Sequence, residues 1–322
     1  MRARILKISG ADLNLFEFDY DLTWTAFFMN ASGKIYGRFG GRDGKGADTR
    51  NSLEGLHFAM EAALAEHRKD PNARPDTPAK PPRFVENFPI AKAQYKGCIH
   101  CHQVKEILRA EEQKAGTWDR ETIFTYPLPE NVGITLDLAR GNLVRAVKPG
   151  SAAAKAGVQA GDVVRTLNKM PVHSFADASY SLHKAPLKGE IPIAFERDGK
   201  AFDATLTLAP MWRRTNITWR PSLLDLLPSL TVYGTDLTAK EKNALGLDEK
   251  RLAFRQDDPV HSAAKAMGVQ VNDVIVGVDN KMLEMSMDQF LGFVRQNYLV
   301  GDSLTLNVLR NGKRIDLNVK LK

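Results

Sequence analysis

The chain opens on a weak alternation of apolar and polar positions from Arg4 to Ser9, which predicts a strand. A polar loop at Gly10-Ala11-Asp12 separates it from Leu13 to Tyr20. The run Thr25-Ala26-Phe27-Phe28-Met29 predicts a buried strand. Asn30-Ala31-Ser32-Gly33 predicts a turn and Lys34-Ile35-Tyr36-Gly37-Arg38-Phe39 a return strand, making a hairpin. A glycine-rich loop follows, from Gly40 to Gly46. Helical period then runs from Ser52 to Leu64, with Leu53, Leu56, Met60, Ala63 and Leu64 on its apolar face and Asn51 or Ser52 as cap. His57 and His67 read as surface histidines of that helix. Five prolines between Asp70 and Arg83 predict an extended linker. Val104 to Lys114 is charged and helix-prone, Gly116 ends it, and Trp118 starts a second short element.

From Asn131 the texture changes to short strands and regular turns. Leu143-Val144-Arg145-Ala146-Val147 is a strand. Ser151 to Val158 is a turn and short helix, and Gln159 to Lys169 a turn and strand. A near copy runs from Ser262 to Asp279, so that Gly157 maps to Gly268 and Asp162 to Asp273. Each copy closes on a hairpin signal, Asp198-Gly199 in the first and Asn311-Gly312 in the second. Such two-residue turns need positive φ at both central positions. A repeat of roughly a hundred residues means two copies of one domain and not a solenoid of short units.

Composition narrows the class without naming it. Of 322 residues, 43% are hydrophobic and 26% charged, an ordinary globular balance with room for two or three domains. The net charge of +7 is mild and spread along the chain, so nucleic acid is not an expected partner. No apolar run approaches the ~18–20 residues of a membrane span.

The two cysteines of the chain stand together in Cys98-Ile99-His100-Cys101-His102. C-x-x-C-H is the attachment pattern of c-type haem: two thiolates on one helical turn add to the vinyl groups, and the next histidine faces the iron. Covalent haem c on Cys98 and Cys101, with His102 as the iron ligand, is therefore the first expectation. Trp118, Phe124 and Tyr126 are candidates to cover it, or else to pack on the next domain. A thiol–disulfide pair, with Cys98 as nucleophile and Cys101 as resolving thiol, is the second. A zinc or copper site using Cys98, His100, Cys101 and His102 is the third, and two structural thiols the last. Haem attachment and lasting disulfides both belong to an export compartment. The basic start, Met1 to Lys7, lacks an apolar signal core, so the chain reads as a piece of a longer exported protein.

Two resemblances add to this. The hairpin followed by a helix resembles the second half of a thioredoxin fold, whose own C-x-x-C would precede Met1. "SAAAKAGVQAGDVVRTLNKMPV" and "SAAKAMGVQVNDVIVGVDNKML" resemble the core of bacterial-type PDZ domains, in which a peptide end adds as a strand beside the sheet. That likeness implies capture of the peptide carboxylate by an apolar-Gly-apolar loop. Val132-Gly133-Ile134 matches it in the first copy, with the groove against the helix near Phe175 to His183. The second copy has Tyr233-Gly234-Thr235, a poorer match. It also has Asn272 where the family prefers Gly, and an inserted helical segment from Leu237 to Leu247. A similar insertion occurs in exported bacterial proteases of the family, but no G-x-S-x-G nucleophile context accompanies it here.

The order as a whole resembles the bacterial thioredoxin/PDZ domain-containing (seleno)protein group. The expected fold is multidomain α+β, in which short-stranded PDZ sandwiches with helices follow a partial thioredoxin-like α/β segment and a short helical C-x-x-C-H element. The expected boundaries are a thioredoxin-like segment at 1–69, a linker at 70–97, the C-x-x-C-H element at 98–128, PDZ domains at 129–210 and 229–322, and a linker at 211–228. The expected function is an exported peptide-binding adaptor, periplasmic or otherwise outside the cytoplasm, that carries a redox centre. Its expected partners are peptide or protein C-termini at the first PDZ domain and a redox protein. A thiol–disulfide oxidoreductase and a plain scaffold are the alternatives.

Overall fold

In the computed structural model, which describes residues 2–75, 80–95 and 97–322, the chain divides into two units, 1–222 and 223–322. Part of the expected linker, Asp76 to Ala79, and Lys96 lie outside the described residues.

The first unit begins without the expected strand. Arg4 to Ser9 is irregular, with Ile5 and Leu6 exposed and only Ile8 reaching a core. The expected hairpin forms from β1 (Ala26–Met29) and β2 (Ile35–Phe39), antiparallel with a bulge at Phe28/Met29. α1 (Leu53–Lys69) follows, and the Ser52 side chain accepts from the Gly55 N–H to cap it. Its buried stripe is not the large apolar face. Gly55, Ala59 and Ala63 face inward, while Leu53, Met60 and Leu64 are exposed. Small residues spaced four apart let the helix axis come close to its neighbours, which large side chains would prevent. The thioredoxin-like reading is corrected at this point. β1 and β2 form a two-stranded sheet to which no third strand is added among the described residues, and a thioredoxin sheet needs one.

Chain assigned to the linker folds in part. A 3₁₀ turn at Val85–Asn87 and α2 (Pro89–Gln94) bury Val85 and Ala91, and α3 (Cys101–Ala115) contributes Val104 and Ile107 to the same cluster as Ile8, Leu13 and Tyr20. Beside α3 lies a buried network of four charges. The Arg220 guanidinium donates to both Asp19 oxygens at 2.7 and 2.8 Å and to Asp21 at 3.1 Å. Lys105 Nζ donates to Asp19 at 2.6 Å and to Asp21 at 2.9 Å. The Ser222 N–H and hydroxyl complete the shell of Asp21, each at 2.9 Å.

The rest of the first unit is a module of short strands. A 3₁₀ turn at Pro129–Val132 leads into β3 (Ile134–Leu136), which pairs antiparallel with β4 (Val144–Val147). α4 (Ala152–Lys155), β5 (Val163–Leu167), β6 (Met170–Pro171) and α5 (Phe175–His183) follow. The hairpin of β7 (Gly189–Arg197) and β8 (Lys200–Leu208) closes the module. Its core gathers alternate residues of the strands, such as Val164, Ile191, Ile193 and Leu206, against Ala178 and Leu182 of α5.

The second unit carries the same element order except for a counterpart of β6: β9 (Gly234–Asp236), an inserted α6 (Ala239–Ala244), β10 (Phe254–Gln256), α7 (Ser262–Ala266), β11 (Val274–Val278), α8 (Met287–Asn297), and the hairpin of β12 (Ser303–Arg310) and β13 (Lys313–Lys320). Its five strands form one antiparallel sheet. The paired aspartates have one physical role in both modules. Asp162 accepts from Arg197 Nε at 2.7 Å and Nη2 at 2.8 Å, and from the Gln159 N–H at 2.8 Å. Asp273 accepts from Arg310 Nε and Nη2 at the same two distances, and from the Gln270 N–H at 2.8 Å. Each arginine also donates to the carbonyl of the paired glycine, Gly157 or Gly268. The buried carboxylate thus ties the closing hairpin to the turn before β5 or β11. Asp162→Ala and Asp273→Ala should each cost about 2–3 kcal/mol, since a charged hydrogen-bond acceptor is lost and a turn N–H is left unpaired. Urea unfolding of the two variants checks this, and the loss should be similar in both.

Candidate functional site

Gly133 is the pivot of the first module's candidate groove. It stands between the 3₁₀ turn and β3 with φ 93°, a left-handed conformation that favours glycine. A Cβ there would lie 2.0 Å from Ser151 Oγ and 2.2 Å from Ser151 Cβ. Both conformation and space therefore call for Gly at this point. The flanking side chains Val132 and Ile134 are buried in the module core and hold the loop to it.

The strand that follows is half used. The Gly133 carbonyl accepts from the Lys148 N–H and the Asp137 N–H donates to the Leu143 carbonyl, so these residues turn their backbone toward the β4 side. Strand alternation leaves the backbone groups of Ile134 and Leu136 on the opposite edge. Among the described residues no strand pairs with that edge. The second wall is α5, whose Ser174 cap accepts from the Asp177 N–H. Ala178 and Leu182 anchor the helix in the core.

The corresponding loop of the second module is differently engaged. The Gly234 N–H donates to Met287 Sδ at 3.0 Å and the Tyr233 N–H to Gln256 Oε1 at 3.3 Å. The Tyr233 hydroxyl is bound to the Pro259 carbonyl. Met287 begins α8, so a thioether from the helix wall meets the loop glycine directly.

The structure does not assemble the cysteine motif as expected. Cys98 lies before the helix and is exposed, and Cys101 is the first residue of α3, so the two thiols do not share a helical turn. Ile99, between them, is buried, and Cys101 packs on the same core cluster. Burial pushes the Cys101 thiol pKa up, which disfavours its thiolate. His100 is the N-cap of α3, its N–H donating to Gln103 Oε1 at 2.7 Å. His102 Nδ1 is 2.8 Å from Glu106 Oε1, one turn on. No group of three or more Cys, His, Asp or Glu placed to hold a metal occurs among the described residues. Two of the three aromatics named as cover for a haem or as packing on the next domain are engaged away from the motif. Tyr126 stacks on His183 at 4.1 Å and Phe124 is buried. Burial of His183 drops its pKa to about 3, so it is neutral in that stack. No local pattern announces that the Arg38 N–H donates to Asp177, Arg50 to Glu130 and the Ser52 hydroxyl to the Leu138 carbonyl of the first module, because these pairs lie 80 to 139 residues apart.

Comparison with known proteins gives a PDZ domain over residues 143–197. The periplasmic serine endoprotease DegP of Salmonella typhimurium is 30% identical over 146 residues, covering 45% of this chain and 28% of that protein. The periplasmic pH-dependent serine endoprotease DegQ of Escherichia coli is 32% identical over 155 residues, covering 47% and 31%. The solved structure of a serine endoprotease from Yersinia pestis is 27% identical over 24% of this chain and 27% of its own, with a TM-score of 0.21. The chain thus spans about three tenths of the curated relatives it matches. These relatives are periplasmic, in agreement with the exported location expected for this chain. They are also serine endoproteases, which overturns the function expected for the whole, a haem-carrying adaptor or a thiol–disulfide oxidoreductase of a thioredoxin-like, redox-carrying group. What holds is a mixed α+β, multidomain chain with a PDZ domain. No helix among the described residues is long and apolar enough to cross a membrane.

Proposed function

We propose that the first module captures the C-terminal ends of exported polypeptides in an extended conformation. The observation that carries this reading is the unpaired edge of β3 directly after the left-handed Gly133 loop, inside a module whose residues 143–197 match a PDZ domain. A peptide strand laid antiparallel on that edge satisfies the backbone groups of Ile134 and Leu136. Its side chains alternate between the groove and water. Its terminal carboxylate meets the loop around Val132-Gly133-Ile134 at the Ile134 N–H, which supplies a charge-assisted hydrogen bond from the free edge, while the Gly133 N–H closes the 3₁₀ turn on the Glu130 carbonyl at 3.0 Å. α5 forms the second wall. Main-chain pairing of this kind gives affinity with broad sequence tolerance, which suits recognition of many polypeptide ends.

The second module serves the same architecture as a packed scaffold, in our reading a second PDZ domain whose loop is closed by Met287. A decapeptide with a photo-reactive phenylalanine two residues from a free C-terminus, irradiated with the full chain and mapped by mass spectrometry, tests the assignment. Cross-links are expected in 132–138 and 174–183. Cross-links confined to residues 233–297 would overturn it.

A further inference from the structure

The walls of the first groove are already in contact with another part of the same unit. Between the end of β3 and the start of α5 lies a small crevice lined by Leu136, Leu138, Ser174 and Phe175 together with Phe39 and Arg50 from the N-terminal segment. Arg50 touches both walls. Its Nη1 donates to Glu130 Oε1 at 2.6 Å, three residues before Gly133, and its guanidinium lies 5.0 Å from the centroid of the Phe175 ring. Its Nε donates to Asp43 at 2.9 Å, which ties the arginine back to its own segment. Ser52 donates its hydroxyl to the Leu138 carbonyl at 2.9 Å, just past β3. On the helix side, the Arg38 N–H donates to Asp177 Oδ1 at 2.9 Å, and the Ser174 hydroxyl donates to the Arg38 carbonyl at 2.5 Å. Gly41 is packed so closely that a Cβ would fall 2.5 Å from the Phe175 ring.

These contacts engage the first turn of α5 at three residues and the β3 side at two. They leave the backbone edge of Ile134 and Leu136 itself unpaired. Residues 38–52 thus bridge the two sides of the groove without pairing with its edge. We propose that residues 38–52 are a cover acting in cis on the first groove, and that a peptide longer than a few residues enters only as this cover lifts. The proposal rests on the peptide-capture reading of the same groove. Its consequence is a tax on affinity: if only a fraction of molecules has the cover raised, the apparent dissociation constant is the intrinsic one divided by that fraction. Weakening the Arg50–Glu130 and Ser52–Leu138 contacts should raise the fraction and tighten binding, although neither change adds a contact to the peptide.

The test uses the full chain, its Glu130→Gln and Ser52→Ala variants and the double variant. The probes are four fluorescein-labelled decapeptides of alanine and serine ending in Ala, Val, Leu or Phe with a free carboxylate. The expected result is about fivefold tighter binding for Glu130→Gln, and tighter still for the double variant. In the unaltered protein, hydrogen exchange at residues 38–52 should accelerate when peptide is added while exchange at 134–136 slows. If the unaltered chain binds and the variants bind equally, with exchange at 38–52 unchanged, the cover is a fixed part of the groove and the inference is overturned while peptide capture stands. If no form binds any of the four peptides, peptide capture itself fails and the cover has nothing to regulate.

Discussion

Arg220→Ala is expected to destabilise the first unit by about 3–5 kcal/mol, the cost of breaking a buried ion pair and stranding the remaining charges. Arg220 is only 1% exposed, and its side chain holds both oxygens of Asp19, one oxygen of Asp21 and the Thr125 carbonyl. With Lys105 the network carries two positive and two negative charges, and removing the guanidinium leaves two buried carboxylates to one ammonium. The four groups come from the N-terminal segment, α3 and the stretch after the first module. The loss should therefore appear as one cooperative change in the urea transition of the first unit. Arg220→Lys should recover only part of it, because an ammonium cannot reproduce the forked contact to Asp19.

The same network sets an acid dependence. Burial on its own would raise the Asp19 carboxyl, but Arg220 and Lys105 outweigh it and hold the pKa below the ordinary value of 3.8. For Asp21 burial again opposes, and Lys105, Arg220 and the Ser222 N–H together hold it well below the ordinary value. A carboxylate whose folded pKa is depressed stabilises the fold fully above its unfolded pKa. The benefit is lost as pH falls from about 4 toward the folded value. The unaltered protein should therefore lose stability progressively below about pH 4. In Arg220→Ala the two carboxyl pKa values rise, and the acid transition should move to higher pH.

Gly133→Val should abolish peptide capture and cost the first module about 2–4 kcal/mol, the sum of a left-handed backbone imposed on a β-branched residue and a clash in a packed site. The clash is specific: the added Cβ meets Ser151, whose side chain also accepts the Ala154 N–H at the start of α4. Gly133→Ala combined with Ser151→Gly should recover the part of the loss that comes from the clash, since glycine at a cap loses only a few tenths of a kcal/mol, while the left-handed backbone strain remains. Peptide affinity of this pair should fall less than that of Gly133→Val, which should lose at least about a hundredfold. Circular dichroism on melting and peptide titration separate the two effects.

The features that could be read from the sequence are those whose cause is local. Asp198-Gly199 and Asn311-Gly312 predict two-residue hairpin turns, and all four residues have positive φ, between 49° and 75°. The paired aspartates could be aligned by eye, but their arginine partners, 35 and 37 residues downstream, could not. Alternation in Arg4 to Ser9 misled, because a strand needs a partner edge and none is supplied there. The helical face of α1 misled because large apolar residues suggest burial, whereas close packing selected Gly55, Ala59 and Ala63. The cysteine motif misled most. Its spacing is set by a five-residue window, while the exposure of Cys98 and the burial of Ile99 and Cys101 are set by the cluster around α3. The contacts of Arg50 and the charge network around Arg220 depend on segments 80 to 201 residues apart, and no pattern in the chain announces them.

The central claim is that the loop around Gly133 and the free edge of β3 hold a peptide by its terminal carboxylate. The direct measurement is fluorescence anisotropy of the full chain with one decapeptide in two forms, free acid and C-terminal amide. A charge-assisted hydrogen bond contributes roughly 1.5–3 kcal/mol, so the free acid should bind about ten- to a hundredfold more tightly than the amide. Equal affinity for the two forms, or binding of neither, would contradict the account.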